Sequence, residues 1–383
     1  MTLTPRPTTR SPRRAPTLGH HGASYELCLY CPSLCRHACP VATAEGSDTL
    51  APQRLMALAD HLREGRLQVT PDIAMTLHAC SGCGACTAAC QYDNPVADAL
   101  VEARASLMEA GHSPVPASTI DIPTLSPEHP VFEGLRRRSR YEEHPAVSLM
   151  PSRQVVTDEP QVIELLFDLC ERLDEQPLAC GELARVPTGF TSWFFGHHKV
   201  FADRAARVVA AARGARDVIV MSPEALHVLK NVYPRFGFVV PGTVSHISEF
   251  LLPILSGAVV KRLSGRVGYL ESAYLANHCG LTEVPRQVLR RMLVEPLIEV
   301  PLGGEVGDGG SGLEPLYTGA AEKMAEAAIA RALRLGVERL VSFSPEAVVT
   351  TRAVARALGV PLQVEHAVGL VAEAVVGDGV GSP

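Results

Sequence analysis

Residues 80–90 read Cys-Ser-Gly-Cys-Gly-Ala-Cys-Thr-Ala-Ala-Cys, and residues 28–40 read Cys-Leu-Tyr-Cys-Pro-Ser-Leu-Cys-Arg-His-Ala-Cys-Pro. Eight of the chain's 11 cysteines fall in these two runs. The later run spaces its thiols by two, two and three residues, the bacterial pattern for ligating a 4Fe-4S cluster. The earlier run has three residues between its second and third cysteines and keeps a proline, Pro40, after the fourth. Thiols packed this tightly, twice over, can surround two iron–sulfur cubes, so the chain is expected to move single electrons.

In two-cluster ferredoxins the fourth cysteine of such a run ligates the other cluster. That rule predicts one cluster on Cys28, Cys31, Cys35 and Cys90, and a second on Cys80, Cys83, Cys86 and Cys39. The longer Cys31–Cys35 spacing leaves a three-iron or labile cluster open at the first site. Gly82 and Gly84 leave room for backbone N–H groups beside inorganic sulfide, while Arg36 and His37 stand next to a ligand. Zinc and a disulfide scaffold are the competing uses of such cysteines. A zinc site has no need of a third cysteine so close by, and a reducing compartment favours metal ligation over disulfides.

Working outward, residues 24–111 read as an all-helical unit. Pro52 to Leu67 places Leu55, Leu58, Ala59 and Leu62 on one helical face. Thr70-Pro71 reads as an N-cap followed by proline at the first helical position. Pro95 to Gly111 reads as a further helix closed by glycine. Before this unit lies a proline- and arginine-bearing tail, residues 1–23, expected to be disordered. It has no apolar stretch of the kind a secretory signal carries, and no hydrophobic run follows Arg13-Arg14 to support a twin-arginine signal. After it comes an expected linker, residues 112–145, with six prolines and the basic knot Arg136-Arg137-Arg138-Ser139-Arg140, taken as a solvated face.

The remainder repeats itself. Residues 217–229 (DVIVMSPEALHVL) and 339–351 (RLVSFSPEAVVTT) share Ser-Pro-Glu-Ala, at Ser222–Ala225 and Ser344–Ala347. Each follows a short apolar strand that itself follows an alanine-rich helix ending in glycine, and His246 answers His366 downstream. Two duplicated α/β domains, 146–262 and 263–383, with mainly parallel sheets are therefore expected, each built as helix, strand, helix, strand. The predicted class is α+β multi-domain: a helical ferredoxin domain followed by the duplicated pair.

Composition is that of an ordinary globular chain: 383 residues, 46% hydrophobic, 20% charged and a formal charge of −6. This gives no electrostatic footprint for nucleic acid or an anionic membrane. No run of eighteen apolar residues occurs, so no transmembrane segment is expected. The anticipated location is cytoplasmic, reaching a membrane only through a partner. Gly307-Asp308-Gly309-Gly310-Ser311-Gly312 fits G-x-G-x-x-G formally but lacks a strand directly before it, and reads as a turn. Ser192-Trp193-Phe194-Phe195-Gly196-His197-His198 would suit a quinone or flavin edge, though core packing beside two solvated histidines is the simpler account.

From about residue 24 onward the chain resembles the Fe–S oxidoreductase family. That family includes iron–sulfur subunits of glycolate oxidase, lactate-utilisation and anaerobic glycerol-phosphate dehydrogenase proteins, and heterodisulfide reductase subunits. The paired cysteine runs look like its helical domain. Its two cysteine-rich domains, each with Cys-Cys-Gly and a later Cys-Pro-x-Cys, survive here without their ligands. They stand as Ala179-Cys180-Gly181, Ser222-Pro223-Glu224-Ala225 and Ser344-Pro345-Glu346-Ala347, with Glu305 to Gly312 replacing a cysteine pair and Ser272-Ala273-Tyr274 a cysteine-histidine. Cys170, Cys180 and Cys279 are too scattered to build a further cluster. The resemblance implies an electron-transfer subunit of a multi-subunit oxidoreductase, fed by a flavin-dependent dehydrogenase partner. A stand-alone disulfide or quinone reductase, and a redox sensor with structural clusters, are the alternatives it leaves.

Overall fold

A computed structural model describes residues 20–173, 178–300 and 313–375. The glycine-rich segment Gly307–Gly312 and most of the amino-terminal tail lie outside the described residues. The protein mixes helices with two four-stranded parallel sheets, as the α+β expectation requires. No helix among the described residues is long and apolar enough to cross a membrane.

The cysteine-bearing region contains no strand among its described residues. Its main helices are Gly22–Leu29, Pro52–Arg63, Pro71–Leu77 and Val96–Glu109, joined by the short helices Pro40–Ala44 and Ala85–Ala88. Leu55, Met56, Ala59 and Leu62 bury one face of Pro52–Arg63 against Tyr25, Leu77 and Leu100. The Tyr25 hydroxyl, fully buried, donates to the Ala99 carbonyl at 2.7 Å. The cap expected at Thr70 is present, its Oγ1 accepting the Ile73 N–H at 3.2 Å. Pro52–Arg63 stops four residues short of Leu67. The chain turns at Gly65, in left-handed backbone, and Arg63 and Arg66 fold back onto the buried Asp60 carboxylate.

The first sheet runs β1 (Val147–Met150), β2 (Leu178–Cys180), β3 (Asp217–Val220) and β4 (Thr243–His246), in the spatial order β2-β1-β3-β4. The second runs β5 (Val267–Tyr269), β6 (Ile298–Glu299), β7 (Arg339–Ser342) and β8 (Gln363–His366), in the order β6-β5-β7-β8. Every pairing is parallel, and the two orders correspond strand for strand. Each sheet thus has two strands more than the sequence repeat revealed, because the repeated motifs mark only the third and fourth. Parallel strands in the middle of a sheet must be covered on both faces, which the almost continuous burial of β1, β3 and β7 reflects.

Both Ser-Pro-Glu-Ala motifs start helices. Ser222 Oγ accepts the Ala225 N–H and Ser344 Oγ the Ala347 N–H, with proline at the first turn in each case. His246 and His366 cap the next helices in the same way, Nδ1 accepting from Ser248 and Val368. Both imidazoles meet the Phe343 ring edge-on, and one hydrophobic core runs through both sheets.

Residues 112–145 differ from the expected linker. They contain helices Ala117–Ile120 and Pro130–Arg137, and Val115, Ile120, Phe132 and Leu135 are buried in the core of the first sheet. The basic knot is largely engaged within the chain: Arg138 pairs with Asp168 at 2.6 Å, Arg140 with Glu171 at 3.3 Å, and Arg136 lies over the Tyr141 ring. His197, expected in solvent, is buried and lies 3.4 Å from Ser113 Oγ.

Burial gives His246 and His366 a shared acid sensitivity. Desolvation pushes each imidazole down to about 3 from the ordinary 6.5. In the unfolded chain both take up protons near pH 6.5, whereas in the fold they stay neutral. Stability is therefore complete above about pH 6.5 and falls as pH drops toward 3, by about 2 kcal/mol per histidine at pH 5. Denaturant titrations at pH 7.5 and pH 5 should show that loss, and His366→Asn should diminish it. An equal loss in wild type and variant would exclude His366 as a source.

Candidate metal centre

The structure gathers the eight predicted thiols into two groups, each drawing on both runs. Cys39 of the first run and Cys80, Cys83 and Cys86 of the second line one pocket, walled by apolar side chains such as Leu55 and Val96. Cys86 is pushed well above the ordinary thiol range, first by burial and then by the neighbouring thiolates of Cys80, Cys83 and Cys39. At the other group, burial pushes Cys28 up to about 11; the Asn94 amide opposes the rise, and Cys35, Cys31 and Cys90 add to it. Cys39 rises to about 12, chiefly by burial, against the hydrogen bond from Ala42 N–H. None of the eleven cysteines is joined in a disulfide.

Crowded, desolvated thiols resist ionisation unless a cation takes the charge. Four sulfurs per group is also the donor set of a cubane cluster. The residues therefore fit 4Fe-4S ligation. Among the described residues, no three His, Cys, Asp or Glu side chains form a group suited to a single metal ion.

The local sequence explains the N–H groups aimed at sulfur. Gly82 N–H points at Cys80 Sγ (3.3 Å), Tyr92 N–H at Cys90 Sγ (3.4 Å) and Ala42 N–H at Cys39 Sγ (3.5 Å). The Asn94 side-chain amide donates to Cys28 Sγ at 3.0 Å and to Ser24 O at 2.9 Å. Such hydrogen bonds favour the thiolate and tune a cluster's potential. Gly82 needs its freedom twice over: its φ is +71°, and a Cβ there would lie 2.7 Å from the Tyr274 hydroxyl. Arg36 turns to Asp48 at 2.7 Å, its charge only a minor favour to the Cys39 thiolate, and His37 bonds Leu34 O at 2.6 Å.

Sequence reasoning passed over the residues that hold the second run from outside. Arg104, fully buried, donates to the carbonyls of Leu77 (3.1 Å), Phe194 (3.1 Å) and Cys80 (2.6 Å). A signal was available, since Arg104 interrupts the apolar stripe of Val96–Glu109 between Leu100 and Leu107. From the second sheet's region, Tyr274 donates to Ser81 O (3.1 Å), Asn277 to Cys83 O (2.8 Å) and His278 Nε2 to Gly82 O (2.7 Å). These three lie on the turn of helix that follows Ser272-Ala273. Cys170 and Cys180 are buried in the hydrophobic core, and burial raises Cys180 further. Cys279 is pushed up to about 12 by burial, with Lys230 opposing. Neither Ser-Pro-Glu-Ala motif contributes a thiol.

A family model described as a 4Fe-4S dicluster domain matches residues 24–94, a span that includes both cysteine runs. No curated protein matches the chain. The match supports an iron–sulfur protein with a role in electron transfer.

Proposed function

We propose that the chain is the electron-transfer subunit of a multi-subunit oxidoreductase, working with a flavin-dependent dehydrogenase partner as its resemblance to the Fe–S oxidoreductases implies. The observation that carries this reading is the crossing of the runs. Cys28, Cys31 and Cys35 gather with Cys90, and Cys80, Cys83 and Cys86 with Cys39. When bound, two 4Fe-4S clusters supply one-electron transfer in single steps. The chain's own residues divide the remaining tasks. Asn94, Gly82, Ala42 and Tyr92 present N–H groups to sulfur. Leu55 and Val96 keep the second thiol group dry. The first group lies nearer solvent, flanked by the exposed side chains of Tyr30, Leu34 and Tyr92. Exposed apolar residues beside half-exposed thiols suit a partner's docking face.

Cys83→Ser tests the reading. Anaerobically purified wild type should carry about eight irons per chain, and the variant about four, with one of two electron paramagnetic resonance signals lost. An unchanged spectrum and iron content would remove Cys83 from the ligands, and about four irons in wild type would deny the first group a full cluster.

A further inference from the structure

Four consecutive backbone carbonyls of the second cysteine run each accept a hydrogen bond from a side chain outside that run. Arg104 donates to Cys80 O at 2.6 Å, Tyr274 to Ser81 O at 3.1 Å, His278 to Gly82 O at 2.7 Å and Asn277 to Cys83 O at 2.8 Å. A trans peptide plane points its C=O and its N–H in opposite directions, and every peptide bond among the described residues is trans. A donor that holds a carbonyl therefore also aims the next residue's N–H, on the side away from itself. One plane shows the consequence directly. Tyr274 holds Ser81 O, and the N–H of the same plane, on Gly82, points at Cys80 Sγ at 3.3 Å. The same rule turns the N–H groups of Ser81, Cys83 and Gly84 away from Arg104, His278 and Asn277.

Three of these four donors lie on one turn of the second sheet's region, and the turn presents them together. Its backbone winds wider than an α-helix, with Cys279 N–H reaching Tyr274 O five residues back at 3.1 Å. Single turns of this kind occur frequently at functional sites. The turn is fixed in its place by the first sheet's region. Asn231 donates to His278 O at 2.9 Å, and the Phe190 and His227 rings lie 5.4 Å and 5.6 Å from the Tyr274 ring. The turn also sits directly against the loop that carries the ligands. A Cβ on Gly84 would meet Asn277 Cβ and His278 Nε2, each at 3.1 Å, and Ala273 packs with Cys83 and Ala85.

We propose that Tyr274, Asn277 and His278 are positioning residues that set the potential of the cluster on Cys80, Cys83, Cys86 and Cys39, by holding the loop's N–H groups toward its sulfurs. Hydrogen bonds to a cluster's sulfurs tune its potential, and the positive end of an N–H favours the reduced, more negative form. The second repeat thereby takes part in the redox chemistry instead of serving as scaffold alone. The inference rests on the iron–sulfur function proposed above. It singles out one cluster, because the N–H donors of the first group, Asn94 and Tyr92, belong to the helical domain itself.

Redox titration of the anaerobically purified full chain, followed by electron paramagnetic resonance, tests this, with the signal lost in Cys83→Ser identifying the second cluster. His278→Leu and Asn277→Leu each remove a donor. Each should shift that cluster's one-electron equilibrium about fivefold toward the oxidised form, a fall of about 40 mV at 59 mV per tenfold. The cluster on Cys28, Cys31, Cys35 and Cys90 should keep its potential in both, and iron content should stay that of wild type. His278→Gln should recover most of the shift, because a side-chain amide can still donate to Gly82 O. Tyr274→Phe, which loses a single oxygen, should show the same fall and carries the comparison if a leucine variant does not hold the second cluster. Equal shifts of both clusters, or a glutamine variant as low as the leucine one, would overturn the proposal. Two cluster signals that no variant moves would sink this inference alone, whereas a wild type without cluster signals would sink the iron–sulfur reading beneath it.

Discussion

Arg104→Met is expected to destabilise the protein by about 3 kcal/mol or more and to lower the midpoint potential of one cluster only. The stability loss follows from three carbonyls, of Leu77, Cys80 and Phe194, that would lose a donor inside the protein. A buried acceptor left unsatisfied costs about 1–3 kcal/mol, and the guanidinium also stacks 4.4 Å from the Phe194 ring centroid. The potential shift follows from charge. Burial disfavours the Arg104 cation, and the Cys80 thiolate is the foremost group favouring it. Three of its hydrogen bonds go to neutral carbonyls and a further one involves the Cys80 side chain, so the anion that balances this buried charge is the sulfur group beside it. A cation so placed favours the more negative, reduced state. Its removal should lower the potential by about 59 mV for each tenfold change in a one-electron equilibrium. Under the proposed ligation the cluster on Cys28, Cys31, Cys35 and Cys90 should not move. Arg104→Lys separates the two roles, because lysine keeps the charge but lacks the planar fork that reaches three acceptors. It should lose stability while holding the potential nearer to wild type. A redox titration in which Met and Lys variants shift equally would show that Arg104 acts by position alone.

What could be read in advance follows the range of the interactions concerned. Thiol spacing, the Thr70 cap and the apolar face of Pro52–Arg63 are local, and local pattern carries them. The two Ser-Pro-Glu-Ala motifs marked β3 and β7 for the same reason: a strand, a capping serine and a proline at the first turn are written within a dozen residues. The first and second strands of each sheet carry no such mark. β2 and β6 are only three and two residues long and are strands because β1 and β5 lie beside them. Residues 112–145 look like a linker because six prolines and several serines interrupt them, yet Phe132 and Leu135 are enough to bury a helix against the core. The grip of Tyr274, Asn277 and His278 on the Ser81–Cys83 loop spans more than 190 residues of sequence. No spacing rule reaches that far.

Gly196→Ala should be among the most damaging single changes in the chain, although residue 196 lies in neither cysteine run. Its backbone is left-handed, with φ +81°, and an added Cβ would lie 2.4 Å from Ala105 N, 2.5 Å from Ala105 Cα and 2.6 Å from the Arg104 carbonyl carbon. All three are backbone atoms of helix Val96–Glu109, so no side chain can swing aside. Either the helix shifts outward or the turn after Phe194 refolds. Left-handed backbone alone costs an alanine about 1–2 kcal/mol, and overpacking against a rigid neighbour adds about 1–3 kcal/mol. Gly214→Ala isolates the first contribution, because Gly214 has φ +83° with nothing within 4 Å of the added atom. The displaced helix is also the one that carries Arg104 into contact with Cys80 O, so the damage should reach the thiol group. Gly196→Ala is therefore expected to unfold at lower denaturant than Gly214→Ala and to retain less iron per chain. If both variants lose the same stability and keep all their iron, the packing of that helix against the first sheet's region does not support the site.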